Sequence, residues 1–276
     1  MQKKVEIQNQ AVKYLDISAQ IISTPSSSNI VFKNPLMISS FPGPGMIGSI
    51  IAEELIDQLS MHQIAYLHSA YLLPGVIWIG GRLRHPFRIY STADGSITLV
   101  NCDVSVSTFA IHSTASAIIN WCCDKEVSKI IVMSGIYPES ISPFPSDYAK
   151  RKAFVVESAG NLTKKVHDND IDANETPNFA FISGLSGQLL ADSVVRSIHC
   201  QAILIPTLST SPDPEGAALA VEILRKIIPN TSINSSRLRE KAEMIKAQLI
   251  ELSNLQHRLI EKEMGTRREE PEEIYK

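Results

Sequence analysis

The sequence predicts an α/β protein, with a parallel or mixed β-sheet covered by helices on both faces. Three observations carry this. Short apolar, β-branched runs alternate with amphipathic helical stretches along most of the chain. Residues 129–133 (KIIVM) form a continuous apolar run, which suits a parallel strand buried on both sides. Glycine-rich loops follow strand-like runs at residues 42–45 and 183–187 and lead into helical patterns, where missing side chains let strand and helix approach closely.

The elements follow in order. Residues 11–33 read as a hairpin, with VKYLDISAQII and IVF flanking the polar turn TPSSSN. Residues 36–41 are a buried strand. Residues 46–59 then have helical spacing: Ile47, Ile50, Ile51, Leu55 and Leu59 share a face, and Glu53, Glu54 and Asp57 are expected to face water. A further strand begins at residues 65–67. The apolar stretch 71–79 is broken by Pro74 and Gly75. Residues 87–90 and 97–102 pair across the turn at 93–95. Residues 108–125 read as a helix, with Phe109, Ile111, Ile118, Ile119 and Trp121 available for packing. Beyond the central strand, residues 137–153 are irregular and proline-rich, and residues 154–176 give no clear assignment. Residues 178–182 read as a strand, 188–199 as a helix and 202–205 as another buried strand. Pro212 and Pro214 introduce a helix over 215–228, where a proline at the first turn loses no needed N–H.

From residue 235 to 263 the pattern changes. Leu238, Ala242, Ile245, Leu249, Leu252, Gln256 and Leu259 recur at alternating steps of four and three, a heptad seam. A helix of that length extends about 43 Å. It can pair with the helix of another protomer or pack on its own sheet. The chain accordingly divides into an α/β domain (1–232), a heptad helix (233–264) and a flexible tail (265–276).

Composition narrows the function classes. With 276 residues, 44% apolar and 20% charged, the chain fits one large globular domain plus an appendage. A net charge of −3 without a Lys/Arg stripe argues against nucleic acid as partner. No apolar run reaches the roughly 18 residues that span a bilayer, and the N-terminal MQKKVEIQNQ lacks the apolar region of a secretory signal. The expectation is a cytoplasmic protein. The four cysteines show no CxxC spacing and the seven histidines are scattered, so reduced buried thiols and no zinc site are expected.

Two loops imitate catalytic motifs. Gly43, Gly45 and Gly48 satisfy GxGxxG between a strand and a helix, the context of a dinucleotide fingerprint. Pro44 removes a backbone donor that a pyrophosphate would need, and no acidic residue ends the next strand, so close strand–helix packing is the favoured reading. Around Ser186 the run falls short of the GxSxG elbow, because Gln188 stands where glycine is required. A polar turn with Ser183 or Ser186 capping the helix is favoured over a nucleophile.

The tail carries the most specific signal. Ile274, Tyr275 and Lys276 form a hydrophobic–tyrosine–any tripeptide behind the acidic, proline-broken GTRREEPEE. An apolar side chain, a phenol and a free carboxylate suit a pocket with a basic floor. The tripeptide matches the motif with which proteasome activators and assembly factors dock between α-subunits of the core particle.

The body of the chain resembles the proteasome assembly chaperone family. The matching pieces are FPGPGMIGS (41–49) with the helix IAEELI (51–56), RLRHPFRIY (82–90), IIVMSGI (130–136), ISGLSGQLL (182–190) and PDPEGAA (212–218). Their order and spacing cover roughly residues 34–250. Pro44 and the stretch 137–177 depart from the family's pattern. The resemblance implies a three-layer α/β/α sandwich of the phosphorylase/hydrolase-like kind, cytoplasmic residence, no catalysis, no cofactor, and homo-oligomers, with a tetramer as one form that fits. It implies proteasome α-subunits of the core-particle α-ring as partner, with Ile274, Tyr275 and Lys276 as the docking residues. An activator or adaptor of the mature particle is the alternative. A nucleoside- or nucleotide-binding enzyme of phosphorylase-like fold is a further one.

Overall fold

The structure is a computed structural model and describes residues 19–72, 74–79, 81–145, 150–158, 176–208, 211–228, 231 and 233–243. Eight strands form one mixed sheet. In spatial order they are β1 (Ala19–Ser23), β3 (His62–Ser69), β6 (Phe87–Ser91), β7 (Ile97–Cys102), β2 (Leu36–Ser40), β8 (Lys129–Ile136), β12 (Cys200–Pro206) and β10 (Phe154–Glu157). The four strands β7, β2, β8 and β12 run parallel, and the outer ones pair antiparallel. Two small ladders stand apart, β4 (Ile77–Ile79) with β5 (Arg82–Arg84), and β9 (Ile141–Ser142) with β11 (Phe179–Ala180).

Helices cover both faces, as the three-layer α/β/α expectation requires. Helix α2 (Thr108–Asp124) packs on β1 and β3, and α3 (Gly184–Arg196) on β8 and β12. On the other face α1 (Ile47–Gln58) covers β2, β7 and β8, and α4 (Pro214–Ile227) covers β12. Strand β8 shows why its sequence is apolar throughout. Ile130 and Val132 enter the core under α2 and α3, whereas Ile131 and Met133 enter the core under α1 and α4. Each such fully buried side chain contributes roughly 1.5–3 kcal/mol before chain entropy is subtracted.

Residues 236–243 form a fifth helix, α5, laid across α1 and α4. Asn234 is hydrogen-bonded to Gln58, Arg237 is ion-paired with Asp57, and Lys241 Nζ lies 3.9 Å from Glu54. Rising numbers in α5 meet falling numbers in α1, so the two helices are antiparallel. The first two seam positions, Leu238 and Ala242, are buried on the chain's own domain. Seam positions from Ile245 onward lie outside the described residues.

Several expectations change. The hairpin within 11–33 does not form: β1 pairs with β3, and residues 30–32 are not a strand. The segment TPSSSN instead makes a tight turn, with Ser27 and Ser28 hydroxyls donating to Thr24 O and Pro25 O, and Thr24 N donating to Ile64 O of β3. Residues 11–18 lie outside the described residues. The strand expected at 178–182 shrinks to the two residues of β11, off the main sheet. Helix α3 starts at Gly184, four residues earlier than its pattern suggested, so the glycine loop is its first turn. Glu54, expected in water, is 2% exposed because α5 roofs it; it accepts a hydrogen bond from Gln58 Nε2 at 2.6 Å and lies 3.7 Å from Arg237 Nε. Phe109, expected in the core, is 85% exposed.

Candidate functional site

In an open α/β sheet, ligands bind at the carboxyl ends of the strands where the chain switches faces. Here that point lies between β2, which leads to α1 on one face, and β8, which leads towards α3 on the other. The Gly43–Gly48 loop occupies it. The Met46 amide donates to Gly43 O at 2.9 Å, and the Ile47 amide to Pro44 O. Pro44 itself has no N–H. Two glycines are dictated by close approach: a Cβ at Gly135 would overlap the Pro44 carbonyl, and one at Gly48 would crowd the Phe41 backbone.

The far side of the loop is also filled. The Asp213 amide donates to Gly45 O at 2.8 Å, and the Asp213 carboxylate caps α4 through Gly216 N at 2.8 Å. Arg151, almost fully buried, donates to that carboxylate at 2.7 Å and to Pro206 O at 3.1 Å. A phosphate needs free amides at a helix N-terminus. Here the Met46 and Ile47 amides turn on the loop's own carbonyls, and the loop stands beside a carboxylate. The loop is a packed junction of β2, β8, β12 and α4.

The second loop is equally structural. Ser186 is buried in the first turn of α3, and Ser183 occupies the N-cap position without a side-chain cap hydrogen bond, contrary to the capping expected of it. Among the described residues no group of three or more His, Cys, Asp or Glu could hold a metal ion, and no helix is long and apolar enough to cross a membrane. Cys102, Cys122 and Cys200 are buried thiols, and Cys123 is exposed. A depression of about 780 Å³ lies at the opposite end of the parallel strands, lined by Leu36, Gln58, Asp94 and Ile228.

The arginines of RLRHPFRIY separate. Arg82 is exposed and Arg84 half-buried, but Arg88 is 3% exposed and ion-paired with Asp103. Asn101 Nδ2 donates to Asp103 at 2.8 Å. Arg88 Nε and Nη1 and Asn101 Oδ1 have no partner. Burial pushes the Tyr90 phenol up, against the charges of Arg88 and Arg84, which pull it down. Nothing in the sequence pointed to Asp103 as the partner; only the register Arg88↔Asn101 brings it close.

The carboxyl end also collects exposed apolar side chains. Tyr71 and Val76 follow β3, Trp78 and Leu83 stand on the β4–β5 ladder, Phe109 opens α2, and Phe179 and Phe181 precede α3. Ser107 Oγ, donating to Tyr71 O at 3.0 Å, ties the first of these loops to α2. Sequence reasoning missed this rim because each side chain also fits a core pattern. Ile274, Tyr275 and Lys276, the docking residues read from the sequence, lie outside the described residues.

The family model described as the PAC2 family matches residues 37–253. The chain belongs to the PAC2 family. A relative within reach of sequence comparison is the protein MJ0106 of Methanocaldococcus jannaschii, 26% identical over 235 residues, which are 85% of this chain and 92% of that protein. Two solved structures share the PAC2 fold. PbaA of Pyrococcus furiosus, described as an archaeal homolog of proteasome-assembly chaperone, superposes with a TM-score of 0.75 at 22% identity, over 90% of this chain and 97% of that one. PbaB of the same organism, described as an archaeal proteasome activator, gives 0.70 at 18% identity, over 86% and 99%. The sandwich expected from the resemblance is thus the fold of this PAC2 chain.

Proposed function

We propose that this chain is a proteasome-binding assembly factor that docks Ile274, Tyr275 and Lys276 between α-subunits of the core particle. The reading rests on one conjunction: a PAC2-family body in the same chain as a hydrophobic–tyrosine–any tail. Ile274 fills an apolar slot, the Tyr275 ring packs against backbone, and the carboxylate of Lys276 pairs with a basic residue on the pocket floor. One short tail binds weakly because it loses freedom on docking. Several tails carried by a homo-oligomer raise avidity about 10²- to 10⁴-fold. No catalysis and no cofactor are part of the reading. Its compartment is the cytoplasm.

Native mass spectrometry of the full chain, and of a chain lacking residues 274–276, mixed with α-subunits tests this. Complexes that depend on the tail are expected; complexes of equal abundance with both chains, or with neither, overturn it. The likeness in fold to PbaB favours a second reading, an activator of the mature particle. Preference for assembled core over free α-subunits in the same experiment selects it.

A further inference from the structure

The sheet meets the condition for a ligand site at a second place. Strands β7 and β2 are parallel neighbours, and β2 leads to α1 on one face while β7 leads to α2 on the other. Polar side chains gather at the carboxyl end of β7. Tyr90 and Leu99 enter the core under α1 and α4; two residues along their strands, Arg88 and Asn101 share that face and stand directly opposite each other. Both are buried, at 3% and 4% exposed. They hold Asp103 together: Arg88 Nη2 donates to one carboxylate oxygen, and Asn101 Nδ2 to the other at 2.8 Å. That leaves Arg88 Nε, Arg88 Nη1 and Asn101 Oδ1 unmet. Buried polar atoms without a partner are costly and call for one. Two free donors beside a free acceptor point to a ligand that both accepts and donates.

Charge narrows the class. Half-buried Arg84 reaches the Tyr90 hydroxyl, and Arg88 lies 5.8 Å from the centre of the same ring. Among the described residues Arg84 has no acidic partner, so two guanidiniums stand against the single carboxylate of Asp103. The surplus is one positive charge. A phosphate group, at about −1.5 to −2, overshoots it beside Asp103, whereas one carboxylate matches it. The Asp103 side chain is 22% exposed and marks the side open to solvent.

We propose that this cluster is a binding site for a small 2-hydroxycarboxylate. The ligand carboxylate accepts from Arg88 and Arg84, and its hydroxyl donates to Asn101 Oδ1. Tyr66, opposite Arg88 on β3 and edge-on to His85, closes the flank. A ligand held this way ties β5 to β6, and so the small ribbon to the main sheet. The site involves no residue of the tail, so the inference does not rest on the proposed function.

Glycolate, the smallest 2-hydroxycarboxylate, is the probe. Its binding to the full-length chain is read by ligand-detected NMR titration at constant ionic strength, beside acetate, which lacks the hydroxyl, and inorganic phosphate. Two variants accompany the native chain: Arg84→Gln, and Arg88→Met together with Asp103→Leu, which replaces the buried pair with apolar volume. Saturable binding of glycolate to the native chain is expected, about tenfold tighter than acetate and about tenfold tighter than to Arg84→Gln, with none to the double variant. Absence of glycolate binding to the native chain overturns the proposal and leaves the free atoms to a buried water. Equal binding to the native chain and Arg84→Gln also overturns it, because the ligand then sits elsewhere; this comparison decides even where the double variant does not fold. Acetate binding as tightly as glycolate refutes the role given to Asn101, and a preference for phosphate refutes the charge argument; either result overturns the ligand class.

Discussion

Removing Asp103 isolates a buried cation. Arg88 is 3% exposed, its Nε and Nη1 are already without partners, and Asp103 holds the remaining Nη2. In Asp103→Ala the guanidinium keeps only the Tyr90 ring, 5.8 Å from its centroid, worth about 0.5–1 kcal/mol. Breaking a buried pair by deleting one partner costs about 3–5 kcal/mol. The Asp103 side chain is 22% exposed, so water admitted at its side offsets part of that, leaving about 2–3 kcal/mol. Urea unfolding followed by circular dichroism reads this as a lowered midpoint at unchanged slope. Arg88→Met combined with Asp103→Leu replaces the pair with apolar volume and should return stability to within about 1 kcal/mol of the native chain. An Asp103→Ala chain within about 0.5 kcal/mol of native, or a double variant as unstable as the single one, would refute the reasoning.

Two further outcomes follow from the same geometry. Leu238→Ala empties a fully buried site that seats α5 on the sheet domain, so a loss of about 2–4 kcal/mol is expected, with faster hydrogen exchange across residues 236–243 as the check. Iodoacetamide at pH 8 should label Cys123 alone in the folded chain and all four cysteines in urea. Burial pushes the Cys102 thiol up to about 12, Cys200 to about 11 and Cys122 higher still, which leaves almost no thiolate to react. Rapid native labelling of Cys102 or Cys200 would contradict that burial.

Much of the sheet was legible because its central strands are buried on both faces, and such runs as 129–133 and 202–205 have few other homes. Strand pairing at the margin was not. The alternation in β1 fits any neighbour, and only the hydroxyl-stapled turn at 24–29 decides that it lies on β3 and not on residues 30–32. The apolar face of α1 was legible from its period, but Glu54 was not, because its burial depends on a helix almost two hundred residues further along. Phe109 and Phe179 followed local apolar patterns and yet stand in solvent. They belong to the first turn of α2 and to a two-residue ladder at the carboxyl rim. For the candidate site, the missing Pro44 amide and the lack of an acidic residue after the next strand favoured packing for the glycine loop, and the close approach of Gly48 and Gly135 to neighbouring backbone agrees with it. The ion pair with Asp213 that completes the argument joins Arg151 to a residue sixty-two positions away and leaves no local trace.

The antiparallel seat of α5 on α1 and α4 has a mechanical consequence. Tension applied along the axis of α5 loads the contacts of Arg237, Leu238, Arg239, Lys241 and Ala242 together in shear instead of peeling them off one at a time. A protein that is pulled by its last segment would in this way pass the force straight into the middle of its sheet, and its anchorage would yield as a unit.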